Sequence, residues 1–145
     1  MSARENIAKN IVEQLVNMRD PGVNHVSREK FDIQKLAITQ FPAILVVTAN
    51  EEREDLSTDT RVGLITYELR CYVRGSQIDT QINELVERIE ETIEVSRNRD
   101  LTLAATNIHN VSSQVVSIEK IDRELPLGEA ICNVNVRYTY KKGVL

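Results

Sequence analysis

The residues with the greatest capacity for chemistry in this sequence are two histidines and two cysteines. His25 and His109 have no Cys, His or carboxylate at metal-ligand spacing, such as His-x-x-x-His or Cys-x-x-Cys. Both fall in segments whose apolar residues follow neither helical nor strand periodicity, so we expect surface histidines in loops. Cys71 and Cys132 lie in runs of alternating apolar residues, which is typical of buried free thiols. No Gly-x-Ser-x-Gly motif supports a nucleophilic serine.

Phosphate-binding and acid–base motifs are also missing from the sequence. The five glycines are scattered, and none forms a glycine-rich loop before a helix. The glutamates between positions 84 and 94 are interpreted as the solvated face of a helix rather than as metal ligands or paired acids. The acidic segment 51–55 lacks the spacing of a calcium loop, and we interpret it as a partner-binding or mobile loop. The sequence therefore predicts no catalytic residue, no metal ligand, no cofactor and no enzymatic activity.

Composition narrows the class of protein further. The chain has 145 residues, of which 41% are hydrophobic and 28% charged, and this favours one globular domain over 1–145. A net charge of −4 argues against general nucleic-acid binding, which needs a basic surface. No apolar run is long enough for a membrane helix, and the first residues lack a signal-peptide pattern. We therefore expect synthesis in the cytoplasm and no contact with a membrane.

Helical periodicity marks two segments. Near the N-terminus Ile7, Ile11 and Leu15 recur at helical spacing, Ser2 is the expected N-cap, and Glu5 completes a capping box. The sequence Asp20-Pro21-Gly22 ends this helix. A second helix is predicted to begin near Asp79 or Thr80. Its apolar stripe is Ile82, Leu85, Val86, Ile89 and Ile93, and Arg97 and Arg99 follow near its end.

Period-two alternation predicts strands over most of the remaining chain. The strongest signal covers 62–74, which at about 3.3 Å per residue exceeds the usual strand length and predicts a strand that projects past its own domain. Segment 50–59 is predicted to be a polar connection at a hairpin tip. The other predicted strands are a weak one within 23–39, a buried one at 43–47, and a hairpin of 111–121 and 129–141 around a turn at 125–128.

These elements together predict an α+β fold. Two helices pack on the apolar face of one mostly antiparallel sheet of about four or five strands, which gives a two-layer domain with an extended strand hairpin. The opposite face of the long strands is polar and rich in Arg and Tyr, types that are enriched in interfaces. We therefore predict a subunit or partner interface formed by the polar strand face and the acidic segment. Its residues are Glu52, Arg53, Glu54, Asp55, Arg70, Tyr72, Arg74, Arg137 and Thr139.

The order of elements resembles a family of small proteins of tailed bacteriophages, the tail terminator or tail completion proteins. The likeness is carried by the first helix, the 41–47 strand that begins Phe-Pro-Ala-Ile, the long strand 64–74, the helical segment 80–90 and the closing strand 134–140. It extends over most of the chain and rests on element order rather than on a diagnostic motif.

This resemblance implies a structural virion protein. Such a protein forms a ring of identical subunits, typically six, that caps the tail tube, ends tail growth and joins the tail to the head. The implied partners are the tail-tube protein and a neck or connector protein, with passive contact to DNA that passes through the lumen. The implied location is the tail or neck of a virion that is assembled in the host cytoplasm. Two alternatives stay open: another neck, head-completion or tail-tube subunit, and a small-ligand-binding α+β domain with an unrecognised site.

Overall fold

The fold, as given by a computed structural model that describes residues 3–95 and 108–143, is an α+β domain with one five-stranded mixed sheet. The two helices and the sheet of about four or five strands that the sequence predicts are confirmed. In chain order the elements are α1 (Ala3–Val16), β1 (His25–Ser27), β2 (Ala43–Asp55), β3 (Thr60–Arg74), α2 (Ile78–Val95), β4 (Ile108–Ile121) and β5 (Leu127–Lys141). Two short 3-10 turns, Ile33–Lys35 and Ile38–Gln40, lie between β1 and β2.

The sheet has the strand order β1-β2-β3-β5-β4, so the long strand β3 lies at its centre. Only β1 and β2 are parallel, and every other neighbouring pair is antiparallel. The hairpins β2–β3 and β4–β5 are both formed. β3 is paired with β2 on one side and with β5 on the other over nearly its whole length. It does not project alone, because β5 matches its 15 residues and β2 has 13.

The helices pack together on one face of the sheet, as amphipathicity predicts. From α2 the side chains of Ile82, Leu85 and Ile89 enter a core that also contains Ile65 and Val136 of the central strands. Cys71 and Cys132 are free thiols in this core, as expected. Contact with Cys132 and complete burial raise the pKa of the Cys71 thiol, so it stays protonated and unreactive.

Three predictions about local structure are wrong. The acidic segment 51–55 is not a loop, since β2 continues through Asp55 and only 56–59 form the hairpin turn. Its charged residues are accommodated in a strand because β3 supplies the pairing partners and the other side of β2 faces solvent. His25 is not in a loop either. It lies in β1, and its ring meets the Phe31 ring in a T-shaped arrangement with centroids 4.9 Å apart. His109, which was also expected in a loop, lies in β4.

Several predicted features fall outside the described residues. The expected N-cap, Ser2, is among them, as are Arg97 and Arg99 beyond α2. Glu5, predicted as the second member of a capping box, accepts two hydrogen bonds from the Arg28 guanidinium at 2.7 and 2.9 Å. The N-terminal end of α1 is therefore tied to the chain that follows β1.

Candidate interaction surfaces

The outer face of the sheet, opposite the helices, is covered at one end by the chain between β1 and β2. Tyr72 was predicted to be exposed here, but only 6% of it is exposed. Its ring packs against Phe31 with centroids 5.8 Å apart, and the Arg123 guanidinium lies 5.8 Å from the ring centre. Burial raises the pKa of Tyr72. The prediction of an exposed Tyr72 fails because the 31–41 segment and β5 form a second apolar cluster over it.

Arg70 and Arg74, the predicted interface arginines on either side of Tyr72, have different surroundings. Arg70 donates to Glu68 on the same strand at 3.2 Å and is partly exposed. Arg74 borders a groove of about 640 Å³ between the 3-10 segment and the β4–β5 turn. Asp122, Arg123 and Glu124 also line this groove. Because both signs of charge are present, the groove does not select an anionic or a cationic ligand.

Glu129 is a buried carboxylate close to this groove, and sequence reasoning missed it. Its side chain is 4% exposed, and its Oε1 accepts a hydrogen bond from Arg123 Nε at 2.6 Å. An ionised group in such a place depends on its partner, because the cost of removing it from water is not otherwise offset. The only signal in the sequence was an acidic residue that begins an otherwise apolar strand.

Replacing Arg123 with Met is expected to lower the free energy of unfolding by about 2 kcal/mol, because Glu129 then stays buried without its charged partner. Urea denaturation measures the change. The matched control is Arg70→Met, which breaks a more exposed pair and should cost at most about 1 kcal/mol. Adding Glu129→Gln to Arg123→Met should recover part of the loss. Equal losses in the two single variants would contradict the assigned role of Glu129.

The two predicted interface residues of β5 differ in their exposure to solvent. Thr139 is buried, and it pairs with Val62 of β3 and His109 of β4. Arg137 is exposed and borders a small groove of about 280 Å³, together with Gln114 and Asn135. Of the two, only Arg137 is placed to meet a partner.

The acidic residues of β2 point to both faces of the sheet. Glu52 and Glu54 are exposed on the outer face, where they pair in register with Leu64 and Val62 of β3. Arg53 lies on the helix side. Asp55 is on that side too and forms an ion pair with Arg61 at 3.0 Å. The structure thus brings together Glu52 and Glu54 but turns Arg53 and Asp55 away from them.

Arg53 belongs to a polar and aromatic cluster that closes the core beside the N-terminus of α1. Arg53 donates to the Tyr140 hydroxyl at 2.5 Å and to Glu51 at 2.6 Å. The Tyr138 hydroxyl donates to the same Glu51 carboxylate at 3.1 Å, and Arg4 pairs with it at 2.8 Å. Burial and the nearby Glu51 raise the pKa of Tyr138 to about 12, so its hydroxyl stays protonated and available as a donor. This cluster stabilises the fold and is not free for a partner.

The sheet edge formed by β4 carries an apolar patch that was not predicted from the sequence. Ile118 is 46% exposed although it lies on the helix side opposite Cys132, because β4 has no further strand beside it in the described residues. Val116 is 45% exposed and sits where the register of β4 shifts. Val95, at the end of α2, is 70% exposed, and its neighbour Glu94 accepts from the Val115 amide at 3.4 Å. We call Val95, Val116 and Ile118 the β4 edge patch.

The opposite edge of the sheet is open as well. β1 pairs only with the first three residues of β2, and a groove of about 500 Å³ lies beyond the end of β1. The edge residues of β2 from Leu45 to Thr48 form one side of this groove, and the chain from Arg28 to Lys30 forms another. The sheet therefore presents two different open edges, one apolar and one charged.

Metal-ligand clusters and membrane-spanning helices are both absent from the described residues. No group of three or more His, Cys, Asp or Glu side chains in residues 3–95 and 108–143 is placed to hold a metal ion. Neither described helix is long and apolar enough to cross a membrane. In the comparison with known proteins, no family model matches the chain and no curated protein matches it.

Proposed function

We propose that the protein is a non-enzymatic structural subunit of a tailed bacteriophage, a tail terminator that assembles into a ring, of six copies in the usual case. The ring sits on the end of the tail tube, stops its growth and contacts the neck or connector. It is part of the virion and assembles in the host cytoplasm. The proposal goes beyond the α+β fold, which is common to many functions, and rests on a surface feature together with the resemblance in element order.

The observation that carries the proposal is the β4 edge patch. Single exposed apolar residues are ordinary, but here Val116 and Ile118 lie two residues apart on a strand whose backbone edge is unpaired in the described residues. An open strand edge with apolar side chains is a site of association with another chain. When such an edge meets a different surface on the next identical copy, the contact is head-to-tail and repeats until a ring closes.

Two further features support this function. The element order, from the first helix to the closing long strand, is the one that underlies the resemblance to tail terminators. The net charge of −4 suits a ring through which DNA passes, because a strongly basic lumen would hold the phosphates. The other neck and tail-tube subunits share this general character, and they differ from a terminator in which neighbour they bind.

Substitution of both Val116 and Ile118 with Asp is expected to prevent ring formation without unfolding the chain. Charged side chains at an apolar contact lose their hydration on association, whereas in the free subunit they remain in water. Negative-stain microscopy and sedimentation across a concentration series measure assembly, and far-UV circular dichroism checks the fold. We expect uniform rings for the unmodified chain and monomers for the variant.

The matched control is Leu125→Asp, which makes the same kind of change at a residue that is 77% exposed in the β4–β5 turn, away from the edge. This control should still form rings. Rings formed by the Val116 and Ile118 variant would refute the role of the β4 edge patch. A chain that stays monomeric at all concentrations, and also when mixed with tail tubes, would refute the ring itself.

A further inference from the structure

The edge of the sheet at β2, opposite the β4 edge, is also largely unpaired. β2 is 13 residues long, and β1 pairs in parallel with only Ala43, Ile44 and Leu45. From Val46 to Asp55 no strand among the described residues pairs with the edge of β2 that faces away from β3. Backbone donors and acceptors along an open edge are free to pair with a further strand. We call this stretch the β2 edge.

The start of the β2 edge is shaped as a groove rather than as a flat rim. The groove of about 500 Å³ has the edge residues up to Thr48 on one side and Arg28, Glu29 and Lys30 on the other. The two hydrogen bonds between Arg28 and Glu5 hold this wall against α1. Hydrogen bonding to Arg28 lowers the pKa of Glu5, so the bond persists at neutral pH. An extended segment can therefore enter beside β2 without displacing the chain that follows β1.

The charges along the β2 edge determine which kind of strand can pair with it. Glu51 is engaged by Arg4 and Arg53, and Asp55 by Arg61. Glu52 and Glu54 are exposed and form no ion pair within the described residues. These two carboxylates share the outer face and are separated by two residues, or about 7 Å along the strand. A strand with basic side chains at alternating positions would place one opposite each carboxylate.

The open strand edges of a second copy of this chain do not meet this requirement. Two β2 edges would bring like charges together, which is destabilising. The other open strand, β4, carries only one Lys, at position 120, and it is next to Glu119. Lys120 is also paired with Asp79 of α2. Neither open sheet edge of a second copy therefore supplies the matching segment.

We propose that the β2 edge binds an extended segment of another protein whose Lys or Arg side chains alternate along one face of the strand. The segment adds to the sheet beside β2, its backbone pairs with Val46 to Asp55, and its basic side chains face Glu52 and Glu54. This inference is separate from ring formation, because it uses the opposite edge of the sheet from the β4 edge patch.

A ten-residue peptide of alternating Lys and Thr tests this inference, with a Glu and Thr peptide as its counterpart. Fluorescence anisotropy at low salt is expected to show about fivefold tighter binding of the Lys peptide, since two exposed ion pairs are gained. The preference should weaken as salt is added. A Lys peptide methylated at alternate backbone nitrogens has the same charge but lacks the strand donors, and it should not bind.

Exchange of the two carboxylates for lysine, Glu52→Lys with Glu54→Lys, is expected to reverse the preference in favour of the Glu peptide. The control, Glu84→Lys with Glu87→Lys, makes the same change on the exposed side of α2 and should leave the preference unaltered. If the methylated peptide binds as well as the unmethylated one, strand addition is wrong. If neither peptide binds, or the charge exchange has no effect, the carboxylates serve only to block edge pairing. The Val116 and Ile118 variant should bind the peptide normally even if it forms no rings, so the two proposals fail independently.

Discussion

Replacing Gly63 with Ala is expected to lower the free energy of unfolding by about 2–3 kcal/mol, because the new methyl group collides with a buried ring. Gly63 lies directly opposite Tyr138 in the β3–β5 pair. A Cβ atom at position 63 would be 2.3 Å from Tyr138 Cζ and 2.6 Å from its Cε1 and Oη. Thermal or urea denaturation gives the size of the loss.

The Tyr138 ring has little freedom to move aside. It is 1% exposed, its hydroxyl donates to Glu51, and the Tyr140 ring lies 5.7 Å away. An aromatic ring that covers a glycine on the neighbouring strand compensates for the missing side chain, and here it requires that side chain to stay missing. The effect therefore reaches the whole cluster that closes the core beside α1.

Two comparisons make this prediction specific. Gly22→Ala is the matched control, since a Cβ there meets only the Met18 carbonyl oxygen at 3.5 Å, an ordinary contact, and the cost should be under about 0.5 kcal/mol. In the Tyr138→Ala background the obstacle is gone, so Gly63→Ala should cost about 2 kcal/mol less than in the unmodified chain. Equal costs in the two backgrounds would show that the ring is not the cause.

Leu85→Ala is expected to cost about 3 kcal/mol of unfolding free energy, within the range of 2–5 kcal/mol seen for buried leucines. Leu85 is fully buried at the centre of the α2 stripe and belongs to the core that α2 shares with the sheet. The loss combines the lost burial of the methine and two methyl groups with the cost of the cavity that remains. Urea denaturation followed by circular dichroism measures it, at one protein concentration for all variants because assembly adds to apparent stability.

The adjacent, exposed Glu84 provides the control. Glu84→Ala changes the same helix without touching the core and should alter the free energy of unfolding by less than about 0.5 kcal/mol. An equally small effect of Leu85→Ala would mean that α2 is not packed on the sheet as described. The Leu85 and Glu84 variants report on how α2 packs on the sheet. The Gly63 variants report on the contact between β3 and β5 at Tyr138.

The predicted interface and the observed surfaces agree only in part, and this affects where partners bind. Glu52, Glu54, Arg74 and Arg137 lie on accessible surfaces. Tyr72 and Thr139 are buried within the chain. Arg53 and Asp55 have partners on the helix side. Experiments on assembly are therefore better directed at the two open sheet edges than at the centre of the polar strand face.

The periodicity of the sequence by itself determined the layers of this protein. The alternation from Ile65 to Val73 and the stripe from Ile82 to Ile93 each assigned side chains to a buried face, and those side chains are in the core. This succeeds because the spacing of side chains along a strand or helix is a local property of the backbone. The α+β class, the two helices, the two hairpins and the buried thiols all follow from it.

Only the tertiary structure decided what covers the outer face and which strands lie at the edges. Glu52 and Glu54 read as a polar loop, yet they belong to a strand because β3 pairs with them across the hairpin. Tyr72 alternates as an exposed residue, yet Phe31 and the following turns pack over it from far along the chain. The apolar edge at Val116 and Ile118 is visible only once β4 is known to be the last strand. Local spacing reports which way a side chain points, whereas burial and edge position depend on contacts between segments that are distant in sequence.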